Sequence, residues 1–115
     1  TTERLIGNIV TSTEEFGDII GYENHSGQTF LGQTAQPFAQ TVKGAGNNSK
    51  DAHEGARYKN VIGTYLHGSI LPKNPRLADF LIKTAVTKKF GDFSTDLIDD
   101  LFVDLARDVA RERPR

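Results

Sequence analysis

The chain has 115 residues, 37% of them hydrophobic and 25% charged, with a net charge of −1. This suits one globular domain rather than a disordered tail, and the charge excludes a generally basic nucleic-acid binder while leaving room for a local basic patch. With no cysteine, the chain carries no disulfide, zinc–thiolate site, iron–sulfur cluster or cysteine nucleophile of its own.

No apolar run approaches the ~20 residues of a membrane span, and no basic-then-apolar leader is visible near Thr1. Methionine is also absent, which leads us to expect a portion of a longer protein.

In chain order, Leu5–Val10 reads as a β-branched strand. Glu14–Asp18 reads as a turn and Ile19–Glu23 as a second strand, so a hairpin is expected. Thr29–Leu31 reads as a short third strand, and Phe38–Val42 alternates apolar with polar as a half-buried strand should. Gly44–Ser49 reads as a loop. Val61–Leu66 is the strongest strand signal, an apolar run suited to burial on both faces.

The remainder is helical in pattern. Asn74 is a favoured N-cap and Pro75 suits the first helical position. Leu77, Leu81 and Ala85 then share a face with Ala78, Ile82 and Val86, and Gly91 closes that helix. Ser94 or Thr95 can cap a second helix with Leu97, Ile98, Leu101, Phe102, Leu105, Ala106 and Val109 on one face, a stripe for core or docking. Antiparallel-looking strands over 1–70 followed by two helices over 73–113 predict an α+β arrangement on local evidence.

Three histidines stand out, His25, His53 and His67, at separations that match no metal motif. His67 follows the Val61–Leu66 run directly, and Gly68 after it permits a sharp turn or a close approach by substrate. A histidine there serves as a general base or as a structural histidine bonded to nearby backbone. Glu23 and His25, two apart on an extended segment, project from one face, either as a carboxylate–imidazole pair or as two surface groups.

A serine triad through Ser26 or Ser69 lacks the nucleophile-elbow pattern. Gly44-Ala45-Gly46-Asn47-Asn48 lacks the lysine and hydroxyl residue of a phosphate loop. Arg4 and Arg57 have the fork to grip a carboxylate, although most arginines are solvated surface residues.

Several blocks in order carry a resemblance. Arg4-Leu5-Ile6-Gly7-Asn8-Ile9-Val10, Gly21-Tyr22-Glu23-Asn24-His25, Gly44-Ala45-Gly46-Asn47-Asn48, Glu54-Gly55, Gly63-Thr64-Tyr65-Leu66-His67-Gly68 and Leu71-Pro72-Lys73-Asn74-Pro75 resemble class I glutamine amidotransferases of the cobyric-acid-synthase type. Within them the resemblance is nearest to the glutaminase subunits of lipid II isoglutaminyl synthases. It spans residues 4–82 and fades over 91–115.

The resemblance implies an α/β three-layer parent fold of which these residues are the C-terminal part. It implies glutamine hydrolysis by a cysteine–histidine pair, with the ammonia passed to a Mur-ligase-like subunit in the cytoplasm. That partner would hold ATP and magnesium and amidate the D-glutamate of lipid II, a peptidoglycan precursor. This chain would then hold no cofactor or metal of its own.

His67 maps onto the catalytic histidine of the Tyr-Leu-His-Gly motif, and Arg4 onto an arginine that holds the substrate glutamine. Glu23, His25 and Gly68 map near the site. Many relatives carry His-Pro-Glu, where the glutamate orients the histidine; here the residues are His67-Gly68-Ser69. The orienting carboxylate is therefore expected from the partner. The family's cysteine lies in an N-terminal half that these residues do not contain, so the 115 residues alone are expected to hydrolyse no glutamine. Two alternatives remain: a cobyric or cobyrinic acid synthase amidotransferase domain, and a non-catalytic pseudo-amidotransferase interaction module.

Overall fold

A computed structural model describes residues 3–91 and 101–113, with the helical backbone alone for 101–103. The first two strands, β1 (Leu5–Thr13) and β2 (Gly17–His25), form the expected hairpin, paired without interruption from Leu5↔His25 to Thr13↔Gly17. Its three-residue loop, 14–16, leads into Gly17 at φ +71°, and the Thr13 hydroxyl accepts from Phe16 N–H at 2.9 Å and donates to Gly17 O at 2.7 Å. β3 (Ala39–Lys43) pairs with β1, and β4 (His53–Glu54) pairs with β3, giving an antiparallel sheet ordered β2-β1-β3-β4. β5 (Ala56–Tyr58) and β6 (Val61–Gly63) make a separate two-stranded ribbon. The short α1 (Ile70–Lys73) leads into α2 (Pro75–Phe90), and α3 (Leu101–Glu112) follows.

Alternation gives the hairpin two different faces. Ile9 and Ile19 point to the core, where they meet Phe16, Phe38, Ala39, Leu66 and Leu77. Each of the isoleucine, leucine and phenylalanine side chains, fully buried, contributes on the order of 1.5–3 kcal/mol. On the other face Val10 and Ile20 are buried as well, at the end of the hairpin where α1 and α3 pack. α3 is tied there by Arg107, which donates to Asp18 O, and by an ion pair from Arg111 to the Asp18 carboxylate.

Four expectations change. Thr29–Leu31 is not a strand: Thr29 N–H donates to Asn47 O at 2.9 Å and Asn48 Nδ2 donates to Thr29 O at 2.8 Å, so loop partners replace a ladder. The run from Val61 is strand only to Gly63 and is not buried on both faces, because it belongs to a separate two-stranded ribbon in which Ile62 packs on the core while Val61 is 70% exposed. Its last residue, Leu66, does enter the core, in the space that Gly21 leaves open.

β3 begins at Ala39, one residue later than expected, and alternates as a half-buried strand, with Ala39 buried but the apolar Val42 exposed. Asn74 stands at the N-cap position of α2 but its side chain makes no cap bond to that helix. It turns instead to β2, where Oδ1 accepts from Ile20 N–H at 2.9 Å and Nδ2 donates to Ile20 O at 2.8 Å.

Gly91 ends α2 as expected, its N–H donating to Thr87 O. On α3, Leu105, Ala106 and Val109 are exposed. The caps at Ser94 or Thr95 and the side chains of Leu97, Ile98, Leu101 and Phe102 lie outside the described residues.

Candidate active site

His67 is placed by main-chain bonds. Its N–H donates to Tyr22 O at 2.9 Å and its carbonyl accepts from Tyr22 N–H at 3.1 Å, a single bridge on the outer edge of β2. The imidazole is exposed and meets the Tyr22 ring edge to face, with centroids 5.6 Å apart. Among the described residues, histidine–carboxylate contacts are made by His25 with Glu23 and by His53 with Asp51; none reaches His67.

Arg4 lies at the same end of β2. Its Nε donates to Asn24 Oδ1 at 2.7 Å and its Nη1 to Ser26 Oγ at 3.2 Å. Asn24 and Tyr22 are two residues apart and share a strand face, about 7 Å along the chain. Arg4 and His67 are therefore anchored two residues apart on β2, from 63 residues apart in sequence.

Glu23 and His25 do share a face, as their spacing predicts, but it is the core side of β2, opposite Tyr22 and Asn24. Glu23 is fully buried, and its two oxygens accept from Ala45 N–H at 2.8 Å and Gly46 N–H at 2.9 Å. The glycine-rich loop thus folds around an internal carboxylate, which takes the position an anion would need. The His25 ring stacks on Tyr65 at 3.7 Å, its Nδ1 bonds Gly27 O at 2.8 Å, and its Nε2 lies 3.8 Å from Glu23 Oε2. Gly68 adopts φ +80°, a left-handed turn that carries the chain from the His67 bridge into α1.

Arg57 is engaged elsewhere, paired with Glu15 at 2.5 Å and lying over the rings of Phe16 and Phe80. A recess of about 490 Å³ lined by Phe16, Asn74, Arg76 and Arg107 does not include His67. Among the described residues no group of three or more histidine, cysteine, aspartate or glutamate side chains could hold a metal ion. Nor, among them, is any helix long and apolar enough to cross a membrane.

The residue that sequence reasoning left without a role is Glu54. It is fully buried, and its carboxyl group bonds Tyr65 N–H at 2.6 Å and the Thr64 hydroxyl at 2.9 and 3.0 Å. Burial pushes its pKa up to about 7; the Tyr65 and Thr64 bonds oppose that rise and the nearby Glu23 charge adds to it. The sequence signal was present, an acidic residue directly before Gly55 at the end of a polar loop, but nothing in it says that the carboxylate points inward.

Residues 1–75 match the CobB/CobQ-like glutamine amidotransferase domain, and the chain belongs to that family. It is 42% identical over 114 residues to the lipid II isoglutaminyl synthase (glutamine-hydrolyzing) subunit GatD of Streptococcus pneumoniae, a match covering 97% of this chain and 43% of that protein. It is 43% identical over 99 residues to the corresponding GatD subunit of Staphylococcus aureus, covering 86% of this chain and 40% of that protein. To the cobyric acid synthase of Sphingopyxis alaskensis it is 36% identical over 100 residues, 84% of this chain and 19% of that protein. The chain thus spans less than half the length of these relatives. The pneumococcal match reaches well past residue 82, so the similarity extends further than the motifs alone reveal.

Proposed function

We propose that this chain is the histidine-bearing, C-terminal part of the glutaminase subunit of a lipid II isoglutaminyl synthase. The observation that carries the reading is that Arg4 and His67 are anchored to Asn24 and Tyr22, two residues apart on β2, in a chain 42% identical to a pneumococcal GatD subunit.

In this reading a cysteine outside these residues attacks the side-chain amide carbon of glutamine. His67 takes the thiol proton and returns it to the departing nitrogen, so the C–N bond breaks and ammonia leaves. Water then cleaves the thioester to release glutamate and restore the thiol. Arg4 holds the α-carboxylate through its planar fork. A Mur-ligase-like subunit in the cytoplasm receives the ammonia, with ATP and magnesium bound there, and amidates the D-glutamate of lipid II. That subunit also supplies a carboxylate to orient His67, which suits an imidazole that has none at hand among the described residues. The parent domain is a three-layer α/β fold.

One other reading has an observation in its favour: similarity to cobyric acid synthases favours an amidotransferase domain acting on a cobyrinate acceptor.

The test is ammonia release from glutamine by the full-length protein with its ligase partner. We expect turnover that His67→Ala abolishes, none from residues 1–115 alone, and poor activity without the partner. Full turnover by the His67→Ala complex would overturn the reading. Equal rates with and without the partner would refute its supply of the orienting carboxylate.

A further inference from the structure

Buried polar side chains form a continuous frame behind His67. Glu23 holds Ala45 and Gly46; the next residue, Asn47, grips Gly55 from both sides, with Oδ1 accepting its N–H at 2.7 Å and Nδ2 donating to its carbonyl at 3.0 Å. That grip fixes the main chain immediately after Glu54. The Glu54 carboxyl group in turn bonds Thr64 and Tyr65, and the Thr64 hydroxyl accepts from Leu66 N–H at 3.0 Å. The three residues before His67 thus depend directly or through one hydroxyl on a single buried carboxyl group.

The far end of the same segment is held differently. Leu66 is in the core and His67 is bridged to Tyr22. Tyr65, between the two anchors, stacks on His25 and bonds Thr29 Oγ1 through its hydroxyl at 2.5 Å. β6 ends at Gly63, so residues 64–66 make no ladder bonds and no regular secondary structure sets their path. A buried carboxyl group thus takes the place of a ladder in the three residues that lead into His67.

We propose that Glu54 is a positioning residue for His67, acting through the main chain of Thr64 and Tyr65. This rests on the glutaminase reading for its effect on turnover, but not for its effect on where the imidazole stands. Glu54 touches neither His67 nor any group assigned to the substrate. Its contribution is to keep the imidazole in register with a reacting centre, where a displacement of about 1 Å can reduce rate a hundredfold. A neutral glutamine fits the role: its carbonyl accepts Tyr65 N–H and its amide donates to Thr64 Oγ1.

The experiment uses the full-length protein with its partner, labelled with ¹³C-histidine, and the His67 ring signal assigned by its loss in His67→Ala. Glu54→Ala is expected to shift or broaden that signal and lower kcat about tenfold to a hundredfold, with KM for glutamine within about twofold. Glu54→Gln is expected to recover the signal position and most of the turnover. If Glu54→Ala does not fold, Thr64→Val and Glu54→Asp take its place; both are expected to displace the signal in the same direction. Folded variants with an unmoved His67 signal overturn the proposal. So does a loss of turnover that Glu54→Gln fails to recover. Retained turnover in His67→Ala would sink the glutaminase reading, and the ring signal would still decide the role of Glu54.

Discussion

Asn74 and Ile20, 54 residues apart, are joined by two hydrogen bonds in which one side-chain amide satisfies both main-chain groups of an edge-strand residue. The same Nδ2 also donates to Ile70 O at 2.8 Å. Two positions further along the same edge, Tyr22 is satisfied by the main chain of His67. The outer side of β2 is thus closed by one side chain and one bridge rather than by another strand, which blunts an edge that would otherwise invite pairing.

Asn74→Ala leaves three main-chain groups without this partner. We expect a loss of about 2–4 kcal/mol in unfolding free energy, read by urea denaturation. Asn74→Asp keeps an acceptor for Ile20 N–H but sets a carboxylate oxygen against two carbonyls, and should be at least as damaging.

Glu54 predicts a pH dependence of stability. Its carboxyl pKa is raised from the ordinary 4.5 to about 7, chiefly by burial. Between those values the unfolded chain ionises while the folded one keeps its proton, so folding stability falls as pH rises through this window. The full effect is about 3 kcal/mol, complete above pH 7 and absent below pH 4.5. Glu54→Gln should remove this component and melt higher than the parent at pH 8. Thermal melts of both proteins from pH 4.5 to 8 provide the check, and parallel curves would contradict the assignment.

Gly55 stands at φ +69°, and a Cβ there would lie 2.4 Å from Gly63 O. Both the backbone conformation and the close approach of the ribbon require glycine. Gly55→Ala should lower stability by more than about 2 kcal/mol, measured by denaturant unfolding.

Arg4 should act on substrate affinity. Under the glutaminase reading, Arg4→Ala removes a charged fork from the α-carboxylate and should raise KM for glutamine about tenfold to a hundredfold, with a smaller change in kcat. Arg4→Lys should recover only part of the loss, because a point charge cannot reproduce the fork. Steady-state ammonia release distinguishes these patterns from a general folding defect, in which kcat would fall with the fraction of folded protein and KM would hold.

Local chemistry in the sequence was enough for the β1–β2 hairpin, the glycine that ends α2 and the loop over 44–49. Each follows from interactions within a few residues: β-branched runs, a turn closed by Thr13, a left-handed glycine. The motif blocks were likewise sufficient for the amidotransferase family, since residue order survives whatever the chain does in space. Tertiary structure decided the rest. Whether Glu23 and His25 face the core or the open side of β2 depends on strand phase, and a polar residue at a buried position looks the same in sequence as one in water. Thr29–Leu31 and the second half of the Val61–Leu66 run had strand composition, but a strand needs a partner in register. Main-chain groups of Thr29, Tyr65 and Leu66 are satisfied instead by Asn47, Asn48, Glu54 and Thr64. Asn74 and Glu54 show why such partners are hard to read: a side-chain amide or carboxyl group can replace a ladder only when the whole fold brings it there.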